Sequence, residues 1–163
     1  MHPEYNKLLA WSKRNKKQIK QAFKEIGKWK PKQQDEWFEA SHEEAFEKID
    51  CLQCANCCKT TSPIFRDKDV VRLAKHVGLK PGKFIEEYLH LDDEQDYVLN
   101  TAPCPFLGAD NYCTVYEARP NACREYPHTD RKKMKQILKL TEQNTQVCPA
   151  VVSIVQKITV NCK

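Results

Sequence analysis

Apolar side chains recur at helical spacing over much of the chain, and this pattern predicts a mainly helical protein. In residues 3–30, Leu8, Ile19 and Phe23 belong to one apolar stripe among lysines, which predicts a long helix that ends before Pro31. A second apolar stripe predicts a helix over residues 32–49. We expect the two helices to pack as a hairpin, with their aromatic residues in the core.

The later part of the chain contains further helix-start signals. A side chain that can cap a helix, or a proline that suits a first helical turn, predicts helices beginning at Asp67, Pro81, Pro120 and Pro149. Residues 131–142 are also expected to be helical.

Short β-structure is predicted between these helices. Residues 95–100 have the character of a strand, and residues 104–107 and 112–116 flank a turn sequence, Gly-Ala-Asp-Asn. The expected fold is therefore mainly α, with a small β-hairpin or a three-stranded sheet, and with helices around a loop-rich cysteine module. We expect an N-terminal helical hairpin (residues 1–49) and a cysteine-cluster domain (residues 50–163) that form one compact unit.

Charge and hydropathy narrow the class of protein. The net charge is +5, and residues 1–35 contain ten Lys and Arg against three Asp and Glu. We interpret this basic segment as a solvated helix face that can meet a protein partner, and we do not expect nucleic-acid binding. No apolar stretch is long enough to span a membrane, and Met1 to Trp11 lack the apolar core of a signal peptide, so a cytoplasmic location is expected.

Eight of the nine cysteines form a pattern that indicates metal binding. Four of them follow the spacing C-x2-C-x2-C-C, and a reducing cytosol favours metal ligation over disulfides for such dense cysteines. Cys162 lies outside the pattern and is expected to be a lone thiol. The predicted metal ligands are Cys51, Cys54, Cys57, Cys58, Cys104, Cys113, Cys123 and Cys148.

The spacing leaves the kind of metal centre open. Zinc takes four ligands in a structural site, whereas Cys51, Cys54 and Cys57 match the spacing of a bacterial ferredoxin run that binds a [4Fe–4S] cluster. Neighbouring side chains usually diverge, so one thiol of the Cys57–Cys58 pair is expected to serve another metal, a bridge or redox chemistry. Eight cysteines can make two four-sulfur sites, or one cluster with the remaining thiols packing, bridging or binding zinc. We expect residues 51–63 to form a loop around the metal.

Two arginines among the cysteines are candidates for cofactor binding. Arg119 and Arg124 can donate hydrogen bonds to cluster sulfurs, bind an anionic substrate, or serve the structure alone.

The string Cys-Leu-Gln-Cys-Ala-Asn-Cys-Cys at residues 51–58 resembles the signature of the bacterial CxxCxxCC family, a zinc- or iron-chelating domain. Later blocks extend the resemblance over about residues 50–155, although Val115 replaces an isoleucine and Tyr126 a phenylalanine of the family pattern. These blocks are Cys104-Pro105-Phe106-Leu107, Cys113-Thr114-Val115-Tyr116, Arg119-Pro120, Cys123-Arg124-Glu125-Tyr126-Pro127 and Cys148-Pro149. The same cysteine module occurs in flagellin lysine N-methylase, for which an iron–sulfur cluster is the proposed cofactor.

The resemblance implies a metal-binding protein that holds an iron–sulfur cluster, [4Fe–4S] in type, or zinc. Two alternatives stay open. In the first alternative, the chain is part of a protein-modifying enzyme, methyltransferase-like or redox, that uses the cluster. In the second, it is a metal-delivery or interaction protein. Methyl transfer does not follow from the resemblance, because the chain is much shorter than that enzyme and has no Gly-rich cofactor loop after a strand.

Overall fold

The structure is a computed structural model that describes residues 2–161, with only the backbone of residues 160 and 161. The predicted lone thiol of Cys162 lies outside the described residues. The chain divides into two compact units. The first unit contains the residues up to Cys54 and those from Pro127 onward, and the second spans Ala55–Tyr126. No described helix combines the length and apolar character that a membrane crossing requires.

The helices and strands follow one another in this order. The first unit begins with α1 (Pro3–Arg14), α2 (Lys16–Ile26), α3 (Pro31–Lys48) and α4 (Cys51–Cys54). The second contains α5 (Asn56–Thr60), α6 (Asp67–His76), α7 (Pro81–Tyr88), β1 (Leu89–Leu91), β2 (Tyr97–Leu99), a 3₁₀ turn (Tyr116–Ala118) and α8 (Asn121–Glu125). The chain then adds a 3₁₀ turn (Met134–Ile137), α9 (Leu138–Asn144) and α10 (Pro149–Asn161) to the first unit.

Helix α10 is the centre of the first unit. It packs against α1, α2 and α3. Val151, Val152, Ile154 and Val155 are inaccessible to solvent, so this helix buries a broad apolar face. A fully buried side chain of this size contributes about 1.5–3 kcal/mol through the hydrophobic effect. The predicted apolar helix starting at Pro149 is confirmed.

The N-terminal helix differs from the prediction because it is broken at Asn15. The Asn15 side-chain amide donates to the carbonyl of Trp11 (2.8 Å), and its backbone N–H also bonds Trp11 (3.0 Å). An asparagine side chain competes in this way with the regular helical hydrogen bonds. The predicted single helix over 3–30 is therefore wrong, whereas the helix predicted over 32–49 is confirmed as α3, in which Pro31 occupies the first turn.

The second unit packs α6 and α7 beside the β1–β2 hairpin. The strands are antiparallel, with Leu89 opposite Leu99. The strand predicted in residues 95–100 is confirmed, but its partner is β1 rather than a segment near residue 104. Residues 104–107 and 112–116 form only an isolated bridge between Leu107 and Cys113, so the strand pair predicted there is wrong. The predicted fold class, mainly helical with a small sheet, is confirmed.

The helix starts predicted at Pro81, Pro120 and Pro149 are confirmed, to within one residue. Of the other two predicted helices, one has a different cap and one begins at a later residue. Asp67 is not the cap of α6, because Arg66 occupies that position and its backbone N–H bonds the Asp69 carboxylate (3.1 Å). Residues 131–142 are helical only from Met134 onward, first as a 3₁₀ turn and then as α9.

Candidate metal centre

The first cysteines lie on short helices, which corrects the loop predicted for residues 51–63. Cys51 and Cys54 are the ends of α4, and Ala55, at φ 48°, occupies the left-handed region between α4 and α5. The side-chain oxygen of Asp50 caps α4 by accepting the Leu52 N–H (2.8 Å). The Tyr5 hydroxyl accepts the Asp50 N–H (2.9 Å) and so attaches the start of this cysteine helix to α1.

The adjacent pair Cys57 and Cys58 lies on α5 in the second unit. Their sulfurs are 3.9 Å apart, so the divergence expected for neighbouring thiols is not observed. A hydrogen bond from the Cys57 side chain is the main cause that lowers the pKa of Cys58 to about 7 from its ordinary value of 9.0. The Cys58 carbonyl accepts the N–H of Cys104 (2.8 Å), which brings two distant cysteine segments together.

Four thiols of the second unit lie within electrostatic range of one another: Cys58, Cys104, Cys113 and Cys123. Burial is the main cause that raises the pKa of Cys123 to about 12, and the charges of the other three thiols raise it further. Burial likewise raises the pKa of Cys104, with added repulsion from Cys58 and Cys113. Buried, mutually repelling thiols are protonated unless a cation compensates them, because a coordinating metal ion deprotonates a thiol outright. The arrangement is therefore suited to a cation.

Backbone N–H groups point at two of these sulfurs. Those of Phe106 and Leu107 bond the Cys104 sulfur, and that of Val115 bonds the Cys113 sulfur; in each case the bond lowers a pKa that burial raises. Donors of this kind stabilise the thiolate form, as at other metal–thiolate sites.

The turns that carry these N–H groups are held by the core. The Phe106 ring is buried and lies 6.2 Å from the Phe84 ring in a stacked arrangement. Val115 is also in the core cluster. The apolar residues within the cysteine motifs thus position the sulfurs.

A buried carboxylate holds the segment that leads to Cys123. Asp69 of α6 is 2% exposed and accepts from the Arg72 guanidinium (2.5 Å) and from the Asn121 N–H (3.2 Å). Arg72 also donates to the backbone carbonyls of Ala118 (3.1 Å) and Arg119 (2.8 Å). We call this pair of residues the Asp69–Arg72 clamp. The sequence pattern does not predict it. The available signal is an acidic residue three positions before an arginine, at the start of the apolar pattern of α6.

The two arginines predicted as cofactor-binding residues have different environments. The Arg119 guanidinium lies 3.6 Å from the centre of the Tyr116 ring, and its buried Nε has no hydrogen-bond partner among the described residues. Its charge opposes the burial that raises the pKa of Cys113 and Cys123. Arg124 donates to the carbonyls of Arg119 (3.2 Å) and Glu117, within its own turn. Arg119 therefore has a free donor near the thiols, whereas Arg124 serves the local backbone.

The remaining three predicted ligands, Cys51, Cys54 and Cys148, belong to the first unit. Burial raises the pKa of Cys148 to about 12; the N–H groups of Val151 and Ala150 oppose this effect, and the neighbouring Cys51 and Cys54 thiols add to it. Cys148 directly precedes α10, so its sulfur meets the first free N–H groups of that helix. Cys54 and Cys148 are buried, and Cys51 is exposed.

The thiols are neighbours rather than a closed coordination shell. All eight described cysteines are thiols, and none of them forms a disulfide. Within residues 2–161, no three His, Cys, Asp or Glu side chains are drawn together closely enough to hold a metal ion. Zinc–sulfur bonds of about 2.3 Å require closer sulfurs, so ligation needs the thiols to move inward. The donor set itself, soft sulfurs with N–H donors and an unpartnered arginine Nε nearby, fits zinc or iron.

Comparison with known proteins agrees with this chemistry. The sequence model of the CxxCxxCC family, described as "Putative zinc- or iron-chelating domain", matches residues 50–149, more than half of the chain and all eight cysteines discussed above. No curated protein and no solved structure matched the chain. The family description supports a metal-binding role. The chain belongs to the CxxCxxCC family.

Proposed function

We propose that the protein chelates an iron–sulfur cluster or zinc through Cys58, Cys104, Cys113 and Cys123 of its second unit. The observation that carries the proposal is the convergence of these four thiols, from four separate segments, within electrostatic range of one another. Four sulfurs complete either a tetrahedral zinc site or the corners of a [4Fe–4S] cluster. Cys57, 3.9 Å from Cys58, would serve as a further donor or a bridge.

Arg119 has a supporting role in this proposal. A centre of four thiolates is anionic, and the cationic side chain beside Cys113 and Cys123 offsets part of that charge. Its free Nε can donate to a sulfur, which would stabilise the thiolate and tune a cluster potential. The cofactor-binding role predicted for Arg124 stays a prediction.

A second thiol set in the first unit consists of Cys51, Cys54 and Cys148. We propose that it also binds metal, because the buried Cys148 sulfur meets the N–H groups of α10 and the charges of the other two thiols. A reducing cytoplasm is the proposed compartment, since it keeps such thiols available.

Anaerobic purification followed by metal and acid-labile sulfide analysis tests the proposal. Iron with sulfide and a broad visible absorption identifies a cluster, whereas a colourless protein with bound zinc identifies a zinc site. The Cys123→Ser variant should lose the metal of the second unit, while Cys51→Ser should retain it. Cys162→Ser is the matched control, because it removes a cysteine outside the pattern and should leave the metal content unchanged. Full metal content in Cys123→Ser would contradict the assignment.

Metal delivery to a protein partner is the second candidate function. It is favoured by the exposure of Cys51, since an exposed ligand is accessible to an incoming thiol of an acceptor. Incubating the loaded protein with a metal-free acceptor peptide that has two cysteines tests this candidate. Transfer that Cys51→Ser slows, and Cys162→Ser does not, supports delivery.

A further inference from the structure

A cavity of about 410 Å³, widely open to solvent, lies between α2 and α9 in the first unit. Its lining includes Lys16, Ile19 and Lys20 of α2 and Lys139 and Glu142 of α9. Lys16 and Lys20 are one helical turn apart, so their side chains project from the same wall, and Lys139 extends from the opposite one. The volume lies within the range of about 300–1,000 Å³ that is usual for small-molecule sites.

The lysines of this cavity outnumber its carboxylates by three to one. Across the part of the chain that the structure describes, Lys16, Lys20 and Lys139 have no ion pair or side-chain hydrogen bond. Among the described lysines of the same unit, some have partners and others, such as Lys13, Lys17 and Lys24, do not. Lys7 pairs with Glu4 (2.8 Å), Lys28 with Glu25 (2.8 Å) and Lys48 with Glu44 (3.1 Å).

The remaining lining groups complete a site for an organic anion. Ile19 is buried and provides an apolar floor, and the Gln146 amide is held by the Ser12 hydroxyl (2.9 Å). Three ammonium groups face one carboxylate, that of Glu142, so the lining is cationic. Like charges brought together without counter-charges repel one another, and a bound anion relieves that repulsion.

We propose that this cavity binds a small organic polyanion, a di- or tricarboxylate or a phosphate ester, through Lys16, Lys20 and Lys139. The three ammonium groups would bind the anionic groups from both walls, and the apolar floor would contact the carbon skeleton. None of the described cysteines lines the cavity, so the proposed binding uses no thiol as a ligand.

Isothermal titration of the metal-loaded protein tests the proposal with two probes. Tricarballylate supplies three carboxylates without the hydroxyl group by which citrate chelates metals, and glycerol 3-phosphate supplies a phosphate ester. Binding of either probe supports the proposal, and the probe that binds more tightly identifies the anionic group that the cavity prefers. Failure of both probes to bind at millimolar concentration would overturn it.

Substitutions of lysines distinguish binding at this specific site from a general effect of the protein's net charge. K16Q/K20Q/K139Q should weaken binding at least tenfold, and K16R/K20R/K139R should retain most of it. The matched control K7Q/K28Q/K48Q removes the same charge from paired lysines of the same unit and should change affinity less than twofold. Glu142→Gln should tighten binding two- to threefold, since it removes the carboxylate that repels the ligand. Equal weakening in both lysine-to-glutamine variants would show that affinity depends on net charge alone, which overturns the proposal.

A metal assay distinguishes this outcome from failure of the proposed chelation. Every lysine variant should retain its metal content and its circular dichroism spectrum, because all of its substitutions are at exposed side chains. Lost anion binding with intact metal supports the cavity assignment, whereas absence of metal from the unsubstituted protein would contradict only the chelation proposal.

Discussion

Replacing Asp69 with alanine should destabilise the second unit and loosen the segment that carries Cys123. The Asp69 carboxylate accepts three hydrogen bonds, from Arg66 N–H (3.1 Å), Asn121 N–H (3.2 Å) and the Arg72 guanidinium (2.5 Å). Alanine removes all three and leaves Arg72 without its carboxylate partner. The Asn121 end of α8 would then lose its attachment to α6.

The structure sets the size of the expected effect. Each hydrogen bond to a charged group contributes about 1.5–3 kcal/mol, but bonds to one carboxylate are not additive. Removing one member of a fully buried ion pair costs about 3–5 kcal/mol. The Asp69 side chain is 3% exposed, whereas that of Arg72 is 33% exposed and partly regains water. We therefore expect a loss of about 2–4 kcal/mol in the free energy of unfolding.

Urea unfolding followed by far-UV circular dichroism measures this loss, with metal content determined on the same samples. Glu86→Ala is the matched control, because it breaks the Lys83–Glu86 pair of α7, in which both side chains are more than half exposed (62% and 69%). An exposed pair of this kind contributes at most about 1 kcal/mol. A loss in Asp69→Ala no larger than in this control, with unchanged metal content, would refute the reasoning.

Three further predictions concern pH, a hydrogen bond and a turn. Burial raises the pKa of Cys123 and Cys148 to about 12 from 9.0, so the metal-free protein should lose stability as pH rises from about 9 to about 12. Unfolding in this pH range releases protons that the folded thiols retain. The urea midpoint should therefore be lower at about pH 10 than at about pH 8 in protein from which a chelator has removed the metal. Metal-loaded protein should not show this loss, since its metal-bound thiols are already deprotonated. Tyr5→Phe removes the acceptor of the Asp50 N–H and should lower the free energy of unfolding by about 1 kcal/mol in thermal melts, whereas an unchanged melting temperature would contradict that role. Gly78→Ala should cost about 1 kcal/mol in urea unfolding because φ is +76° and no atom of the described residues lies within 4 Å of the added methyl, so backbone strain opposes the change; a neutral result would contradict the strain argument.

The helices that the sequence predicted well have strong local signals. Pro81 and Pro149 occupy first turns, and the apolar run after Pro149 has the composition of a buried helix. These signals depend on a few neighbouring residues, so they survive in the folded chain. The break at Asn15 was missed because its side chain competes with the helix through one hydrogen bond, which the apolar stripe does not reveal.

The secondary structure of the first cysteine segment could not be predicted from local sequence patterns. Dense thiols predict metal chemistry, but the sequence pattern predicts a loop where the structure has the short helices Cys51–Cys54 and Asn56–Thr60. Helices this short have little propensity of their own. The Tyr5 hydroxyl accepts a hydrogen bond from Asp50, the residue before α4 and 45 positions later in the chain. No local sequence pattern predicts such a contact.

The cysteines by themselves determined the chemistry of this protein, because thiol identity and dense spacing are properties of the covalent chain. Only the tertiary structure decided which thiols are neighbours. Cys58, Cys104, Cys113 and Cys123 lie within electrostatic range of one another in one unit, and Cys148 lies within such range of Cys51 and Cys54 in the other. The physical reason is that the first set is gathered by core packing around Phe106 and by the Asp69–Arg72 clamp, contacts between residues far apart in sequence whose pairing no periodicity encodes.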